Sequence, residues 1–267
     1  MNLSSAQPVG ALLRAWRQRR RLSQLDLALE AEVSTRHLSC VETGRAAPSR
    51  EMLLRLADRL EVPLRERNAL LLAGGYAPMY PERALADPSM AAARRAVDLI
   101  LAGHMPYPAI AVDRWWNLVA HNPAMAPLLA GVDPALLQPP VNPLRISLHP
   151  RGLAPMIVNA ADWRAHVLAR LHKQVQVSGD VRLAALFDEL RALPHAGEGG
   201  HDAAAPDLGG VAMPLLLRVG GQVLHLISTI TVFGTPVDVT LSELALETFF
   251  PADDATAAWL RRAAGTA

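Results

Sequence analysis

The chain has 267 residues, of which 51% are hydrophobic and 19% charged, with a formal net charge of +1 and one cysteine. This composition supplies enough apolar side chains for one large or two ordinary domains, and it excludes global disorder, an internal disulfide and a multi-cysteine zinc site. Neither a signal peptide nor an apolar run of about 18 residues is recognisable, so we expect a cytoplasmic protein without membrane contact.

Five short amphipathic helices are predicted between residues 8 and 73, because hydrophobic residues recur there at helical spacing. The first instance is Val9, Leu12, Leu13 and Trp16. The helices that follow are predicted to begin at a capping residue or a proline, at Ser23, Ser34, Ser49 and Pro63. Asp26 completes a variant of the capping box with Ser23, and Gly44 ends the third helix.

Residues 1–70 are the basic end of the chain. They contain 12 Arg and no Lys against 8 Asp or Glu. The planar guanidinium suits phosphates and guanine edges, although a preference for Arg over Lys is equally typical of a GC-rich genome.

The rest of the chain alternates between helical and strand patterns. Residues 76–88 are predicted as a linker and 89–103 as a helix, followed by two short strands at 109–114 and 116–121 and a short helix after Pro123. Helical periodicity returns at 162–176 and 180–192, and residues 194–210 have the composition of a flexible loop.

The last part of the chain predicts an antiparallel sheet. Residues 213–219 and 222–233 flank Gly220-Gly221, a pair typical of a tight hairpin turn. After a second turn at Gly234-Thr-Pro236, apolar and polar residues alternate over 237–241, which predicts a further strand. Helices together with such a sheet indicate an α+β domain.

Two short helices joined by a tight turn, and held by helices on either side, are typical of a helix-turn-helix. The stretch resembles the phage-repressor-like family, also called Xre or Cro/C1-type. The matching residues are Leu22-Ser-Gln24, Leu27-Ala28, Ala31, Val33-Ser34, Leu38, Val41-Glu42, Gly44, Pro48-Ser49 and Leu53–Ala57. That family usually has Gly where this chain has Glu32, because the turn requires a positive φ.

The resemblance implies double-stranded operator DNA as a partner and assigns roles by position. It places Ser34, Thr35, Arg36, His37 and Ser39 on the groove-facing third helix, Gln24 at the start of the second, and Arg45 at a phosphate. Arg36 is the best candidate for bidentate recognition of a guanine. Ser34 is equally explained as a helix cap, Glu42 as an internal hydrogen-bond partner and Cys40 as a packed residue rather than a redox sensor.

Residues 105–262 resemble the ligand-binding domain of MmyB-like transcription regulators, which has a PAS-like fold. The matching stretches are Tyr107–Arg114, Trp116–Asn122, Asn142–Pro150, Phe233–Val239 and Phe249–Asp253. The resemblance implies a small hydrophobic ligand such as a fatty acid. The candidate ligand-binding residues are Trp116, Asn122, His149, Trp163 and His225. Each also has an ordinary structural explanation: Asn122 as an N-cap, the tryptophans as core, and the histidines as satisfied structural groups.

The predicted protein is multidomain, with an all-α five-helix helix-turn-helix domain at residues 8–75, a linker and connecting helix at 76–104, and an α+β PAS-like domain at 105–262. We expect a homodimeric transcription regulator without a cofactor, because one recognition helix buries too little surface for specific binding. An enzyme is not expected, since His166 and His172 lack the i, i+4 spacing of a zinc helix and no nucleophile motif is present. The alternative is a protein-interaction module whose helical domain docks a protein instead of DNA.

Overall fold

The computed structural model describes residues 7–194, 213–234, 236 and 238–265. Its helices are α1 Val9–Arg19, α2 Gln24–Glu30, α3 Thr35–Glu42, α4 Arg50–Arg59, α5 Leu64–Ala73, α6 Ala91–Gly103, α7 Pro143–Leu148, α8 Ala160–Ser178, α9 Val181–Ala192, α10 Val239–Ser242 and α11 Asp254–Ala263. Its strands are β1 Ala109–Val112, β2 Leu118–His121, β3 Leu215–Val219, β4 Gln222–Val232 and β5 Ala245–Pro251. Four 3₁₀ turns lie at Pro88–Met90, Pro123–Leu129, Pro134–Leu137 and Ala154–Met156.

The chain divides into two units. The helical unit comprises Met1–Ala84 with Thr235–Ser242, and the sheet unit comprises Leu85–Gly234 with Glu243–Ala267. The predicted linker and connecting helix, residues 76–104, are therefore divided between the two units. In the described residues, no helix combines the length and the apolarity that crossing a bilayer requires. The same residues contain no cluster of three or more His, Cys, Asp or Glu side chains suited to a metal.

The helical unit contains all five predicted helices, α1–α5. The Ser23 hydroxyl accepts a hydrogen bond from the Asp26 backbone N–H, and the Asp26 carboxylate accepts one from the Ser23 N–H, which confirms the capping box. Ser34 and Ser49 cap α3 and α4 through the same side-chain geometry. The fully buried side chains at the centre of this unit include Leu13, Leu27, Leu38, Leu53 and Leu56.

Gly10 allows α1 and α3 to approach each other closely. A Cβ at this position would lie 2.2 Å from the Val41 carbonyl oxygen and 2.9 Å from the Glu42 carbonyl oxygen. Both atoms belong to backbone that cannot move away, so this contact requires glycine. The spacing of hydrophobic residues in the sequence does not predict this close contact between α1 and α3.

The sheet unit is built on five antiparallel strands in the order β2-β1-β5-β4-β3. The predicted hairpin is confirmed, because β3 and β4 pair across Gly220-Gly221 and both glycines have positive φ. One sheet face carries Ala109, Ala111 and Leu246 and packs on Val97 and Leu101 of α6. The larger core lies on the other face and includes α7, α8 and α9.

The strand predicted at residues 237–241 is wrong. Val239–Ser242 forms the single helical turn α10, because the Asp238 carboxylate accepts the Thr240 N–H at 2.9 Å and the Asp238 carbonyl accepts the Ser242 N–H at 3.0 Å. The strand that completes the sheet is β5, which begins three residues later. Val237, and the predicted loop 194–210 beyond Pro194, lie outside the described residues.

Candidate DNA-binding surface and ligand cavity

The outer side of α3 presents polar side chains with no internal partner. Leu38 and Val41 are buried in the helical unit, whereas Arg36 and His37 are exposed and form no side-chain hydrogen bond with any described residue. A planar guanidinium on an exposed helix is suited to bind the O6 and N7 atoms of guanine. Arg45, just after the positive-φ Gly44, is also exposed.

The start of α2 is held by a buried carboxylate. Glu42 accepts hydrogen bonds from Arg17 Nε and Nη2 at 2.7 and 2.8 Å, and from the Gln24 side-chain amide at 2.8 Å. This confirms Glu42 as an internal partner. Gln24 is consequently fixed by one N–H, which leaves its other amide hydrogen and its oxygen for a phosphate or base.

Ser34 acts as a helix cap, because its hydroxyl oxygen accepts the His37 N–H at 3.1 Å. A hydroxyl that accepts one hydrogen bond still has a hydrogen to donate. Ser34 is exposed, and Thr35 and Ser39 are half-buried on the same helix. The predicted DNA-contacting residues of α3 therefore share one continuous helical segment.

Glu32 has the positive φ predicted for the turn between α2 and α3, at 54°. A residue with a Cβ is disfavoured there by about 1–2 kcal/mol, because the Cβ approaches the following carbonyl oxygen. The chain accepts this conformation because Val33 N–H donates to the Ala28 carbonyl at 2.9 Å, which fixes the exit from α2.

We expect Glu32→Gly to raise the free energy of unfolding of the helical unit by about 0.5–1 kcal/mol, since relief of strain exceeds the added entropy of the unfolded chain. Amide hydrogen exchange of α2 and α3 in the full chain measures this free energy. Glu32→Ala is the matched control, because it removes the same charge but keeps the Cβ. Equal stabilisation by both substitutions would show that charge, not backbone strain, is the cause.

A cavity of about 280 Å³ lies within the sheet unit. Its wall combines strand residues with residues of α7, α8 and the β2–α7 connection, and most of them are apolar: Ile110, Leu118, Met125, Leu129, Leu137, Val141, Pro143, Leu144, Ile146, Leu153, Trp163, Val167, Leu215 and Phe249. The volume is nearly twice that of an engineered apolar cavity of about 150 Å³ that stays dry and binds benzene. A small apolar molecule is the kind of ligand that such a space accepts.

Four polar side chains complete the wall: His121, Ser147, Arg170 and Glu247. Ser147 Oγ accepts the Trp163 indole N–H at 2.7 Å, and His121 Nδ1 lies 3.0 Å from the Asn122 carbonyl oxygen. Arg170 Nη1 donates to Glu247 Oε1 at 3.1 Å. Burial and then the nearby Arg170 cation lower the pKa of His166, so this histidine is biased toward its neutral form.

Of the five predicted ligand-binding residues, Trp163 lines the cavity and the other four do not. Trp116 is buried with φ 65°, and its indole N–H donates to Gln174 at 2.8 Å. His149 Nδ1 accepts the Arg151 N–H at 3.0 Å, and His225 Nδ1 lies 2.7 Å from the Asp253 carboxylate. Each of these three residues has a hydrogen-bond or ion-pair partner within the sheet unit.

Asn122 has a structural role that differs from the N-cap suggested by the sequence. Although it precedes the 3₁₀ turn, its side chain does not cap that turn. Its Oδ1 accepts the Ala109 N–H at 3.1 Å, and its Nδ2 donates to the Leu101 and Tyr107 carbonyls at 3.2 and 2.8 Å. The residue thereby ties α6, the loop after it and β1 together.

Arg170 and Glu247 were missed as candidate ligand-binding residues. Arg170 follows Trp163 by seven positions and Val167 by three, so the periodicity of α8 places all three on one face. Glu247 is the one charge in the run Ala245–Pro251. This single acidic residue in a mostly apolar strand was the sequence feature that could have indicated a functional role.

Comparison with known families gives two matches along the chain. Residues 93–263 match the MmyB-like transcription regulator ligand binding domain, and residues 8–70 match a helix-turn-helix domain. No curated protein is similar enough to the chain to count as a match. The ligand-binding match contains the cavity, and the helix-turn-helix match contains the α3 surface.

Proposed function

The chain belongs to the MmyB-like transcription regulators and is a DNA-binding regulator with a ligand-binding domain, and on this basis we propose that it is an Xre-type homodimer that recognises operator DNA. The exposed, unpartnered Arg36 on the recognition helix carries the proposal. Two copies would place two α3 helices in successive major grooves, because half-sites of such dimers lie about one helical turn apart. Gln24, Arg45 and the polar residues of α3 would contact bases or phosphates.

Selection of bound sequences from random duplexes with the full chain tests this function. We expect a palindromic site whose affinity falls about 5- to 150-fold with Arg36→Ala, since a bidentate guanine contact contributes about 1–3 kcal/mol. One base position should also become degenerate. Arg94→Ala is the matched control, because it removes an equal charge from an exposed position of α6. Salt-insensitive binding, or an equal loss with both variants, would contradict DNA recognition by α3.

The ligand that we propose is a small hydrophobic molecule of the fatty-acid type, held in a PAS-like domain. The apolar wall of the 280 Å³ cavity supports this class. The antiparallel order β2-β1-β5-β4-β3, with helices between β2 and β3, supports the PAS-like description.

The connection between β4 and β5 offers a covalent route from the cavity to the helical unit. Its residues Thr235–Ser242 belong to the helical unit, where Val239 N–H donates to the Pro81 carbonyl at 2.9 Å and Asp238 pairs with Arg83 at 3.1 Å. The next strand, β5, supplies Glu247 and Phe249 to the cavity wall. A ligand that displaces β5 would pull on this segment and change operator affinity; equal operator affinity with and without saturating ligand would contradict the coupling.

A further inference from the structure

The second half of strand β4 has a free edge. Strand β4 runs over Gln222–Val232, but β3 pairs only with its first half, residues 222–226. On its other side, β4 pairs with β5 along residues 226–232 without a shift of register. Residues 227–232 therefore have a neighbouring strand on one side and, among the described residues, none on the other.

The hairpin determines which backbone groups of β4 point toward this free edge. In a two-residue hairpin, the residues that flank the turn exchange both backbone hydrogen bonds, and here they are Val219 and Gln222. Because successive residues of a strand direct these groups to opposite sides, even-numbered residues of β4 face the β3 side and odd-numbered residues face β5. The Ala252 N–H, just after β5, confirms this alternation by donating to the His225 carbonyl at 2.8 Å.

Three residues consequently present both an N–H and a C=O at the free edge: Ser228, Ile230 and Val232. None of these backbone groups bonds to a described residue. Ile230 and Val232 are 41% and 60% exposed, so solvent reaches the strand at this point. The edge thus offers three evenly spaced pairs of donors and acceptors.

This edge lacks the features that normally prevent strands of different molecules from pairing. Exposed edges are usually protected by a charged residue, a proline, a bulge or a short length. Residues 227–232, Ile-Ser-Thr-Ile-Thr-Val, contain no charge and no proline, and their regular pairing with β5 shows no bulge. The outer strand on the opposite side of the sheet, β2, has only four residues. An unprotected edge rich in β-branched residues is suited to bind another strand.

We propose that the free edge of β4 pairs with the same edge of a second copy of the chain, antiparallel across a two-fold axis, so that the two sheets become continuous. An axis through Ile230 sets this residue opposite its own copy and sets Ser228 opposite Val232. All three edge-facing residues are then used, which gives about six backbone hydrogen bonds. An axis through Thr229 would instead set Val232 opposite Leu226, whose backbone groups already bond to β3.

Two identical strands are compatible in this register. Isoleucine faces isoleucine at the axis, and on the opposite face of the sheet Thr229 faces Thr231, a kind of cross-strand pair that stabilises antiparallel strands. No charged residue of the edge repels its copy. A two-fold axis also closes the assembly at two chains, as recognition of two half-sites requires. The inference rests on the proposed homodimer and specifies its interface.

Ile230→Pro tests this interface in the full chain. Proline removes the N–H that faces the free edge and leaves the ladder with β5 intact, because that ladder uses the odd-numbered residues. We expect the dissociation constant of the dimer, measured by sedimentation equilibrium, to rise at least about tenfold, since each dimer loses two hydrogen bonds. Ile230→Val is the matched control, because it keeps the N–H and the β-branched side chain, and should dimerise as the unaltered chain does.

The same measurement separates failure of the interface from failure of the homodimer. An unchanged dissociation constant in Ile230→Pro would overturn the β4 interface and leave the homodimer in place. An unaltered chain that binds its operator as a monomer would overturn both.

Cross-linking tests the register with variants that keep the strand intact. In a Cys40→Ser background, Ile230→Cys places two cysteines opposite each other at a Cα–Cα distance of about 5.5 Å, which a disulfide spans. Val232→Cys is the matched control, because Val232 is more exposed but would lie about 13 Å from its own copy. We expect a disulfide-linked dimer from Ile230→Cys alone. Equal cross-linking of the two variants would overturn the axis through Ile230.

Hydrogen exchange distinguishes a second copy from a segment of the same copy as the occupant of the edge. The amide of Ile230 should be protected at concentrations above the dissociation constant of the dimer and should exchange rapidly after dilution below it. Protection that persists in the monomer would show that the edge is covered within one copy, and it would overturn the inference.

Discussion

Replacing Glu42 with Ala is expected to lower the free energy of unfolding of the helical unit by about 3–5 kcal/mol, because it leaves a buried cation without its partner. The Glu42 side chain is 1% exposed and accepts hydrogen bonds from Arg17 Nε and Nη2 and from the side-chain amide of Gln24. The Arg17 Nη1 bond to the Leu22 carbonyl, at 2.9 Å, cannot replace the lost carboxylate. Amide hydrogen exchange of α1–α4 in the full chain reports this unit separately.

The same carboxylate predicts a dependence on pH. Burial raises the pKa of Glu42, but hydrogen bonds from Arg17 and Gln24 and the Arg17 charge outweigh it, so the pKa lies below its usual value. A lowered folded-state pKa means that Glu42 contributes stability above the unfolded value of about 4.3 and loses it as the pH falls through the folded value. Glu42→Ala should therefore flatten the acid side of the stability curve of the helical unit.

Paired substitution separates the lost interaction from the unpaired charge. Arg17→Met and Glu42→Met should each destabilise strongly, whereas the double variant should lose much less than the sum, because apolar residues of similar volume replace a buried ion pair at little cost. Additive losses, or a Glu42→Ala variant within about 0.5 kcal/mol of the unaltered chain, would show that the pair has no stabilising role.

Asn122→Ala is expected to lower the free energy of unfolding of the sheet unit by about 3 kcal/mol or more. Asn122 is 2% exposed and its side chain satisfies one backbone N–H and two backbone carbonyls, and each group left unpaired in the interior costs about 1–3 kcal/mol. Hydrogen exchange of β1 and α6 in the full chain measures the change.

The binding of dodecanoate distinguishes this structural role from the predicted ligand contact. Below its lowered unfolding temperature, the Asn122→Ala variant should bind dodecanoate as tightly as the unaltered chain, because Asn122 lies outside the cavity wall. Weaker binding without loss of stability would instead make Asn122 a ligand contact.

Structural features that depend on residues a few positions apart were predicted correctly from the sequence. The serine caps of α2, α3 and α4, the positive φ of Glu32 and the Gly220-Gly221 hairpin all depend on neighbours in sequence. The strand prediction for residues 237–241 also rested on neighbouring residues, and it was wrong. Alternation of apolar residues over so short a stretch does not distinguish a strand from one helical turn. The Asp238 carboxylate decided the outcome in favour of α10.

Tertiary structure alone decided which side chains form the candidate site. Arg170 and Glu247 are 77 residues apart and meet because α8 packs on the face of the sheet to which β5 contributes Phe249. Gly10 is required because the Val41 carbonyl approaches it from another helix. The sequence determined the helix-turn-helix and, in the second unit, α6, α8, α9 and the β3–β4 hairpin, since caps, turns and periodicity act locally. The cavity and its charged end depend on distances between remote residues, which no local pattern contains.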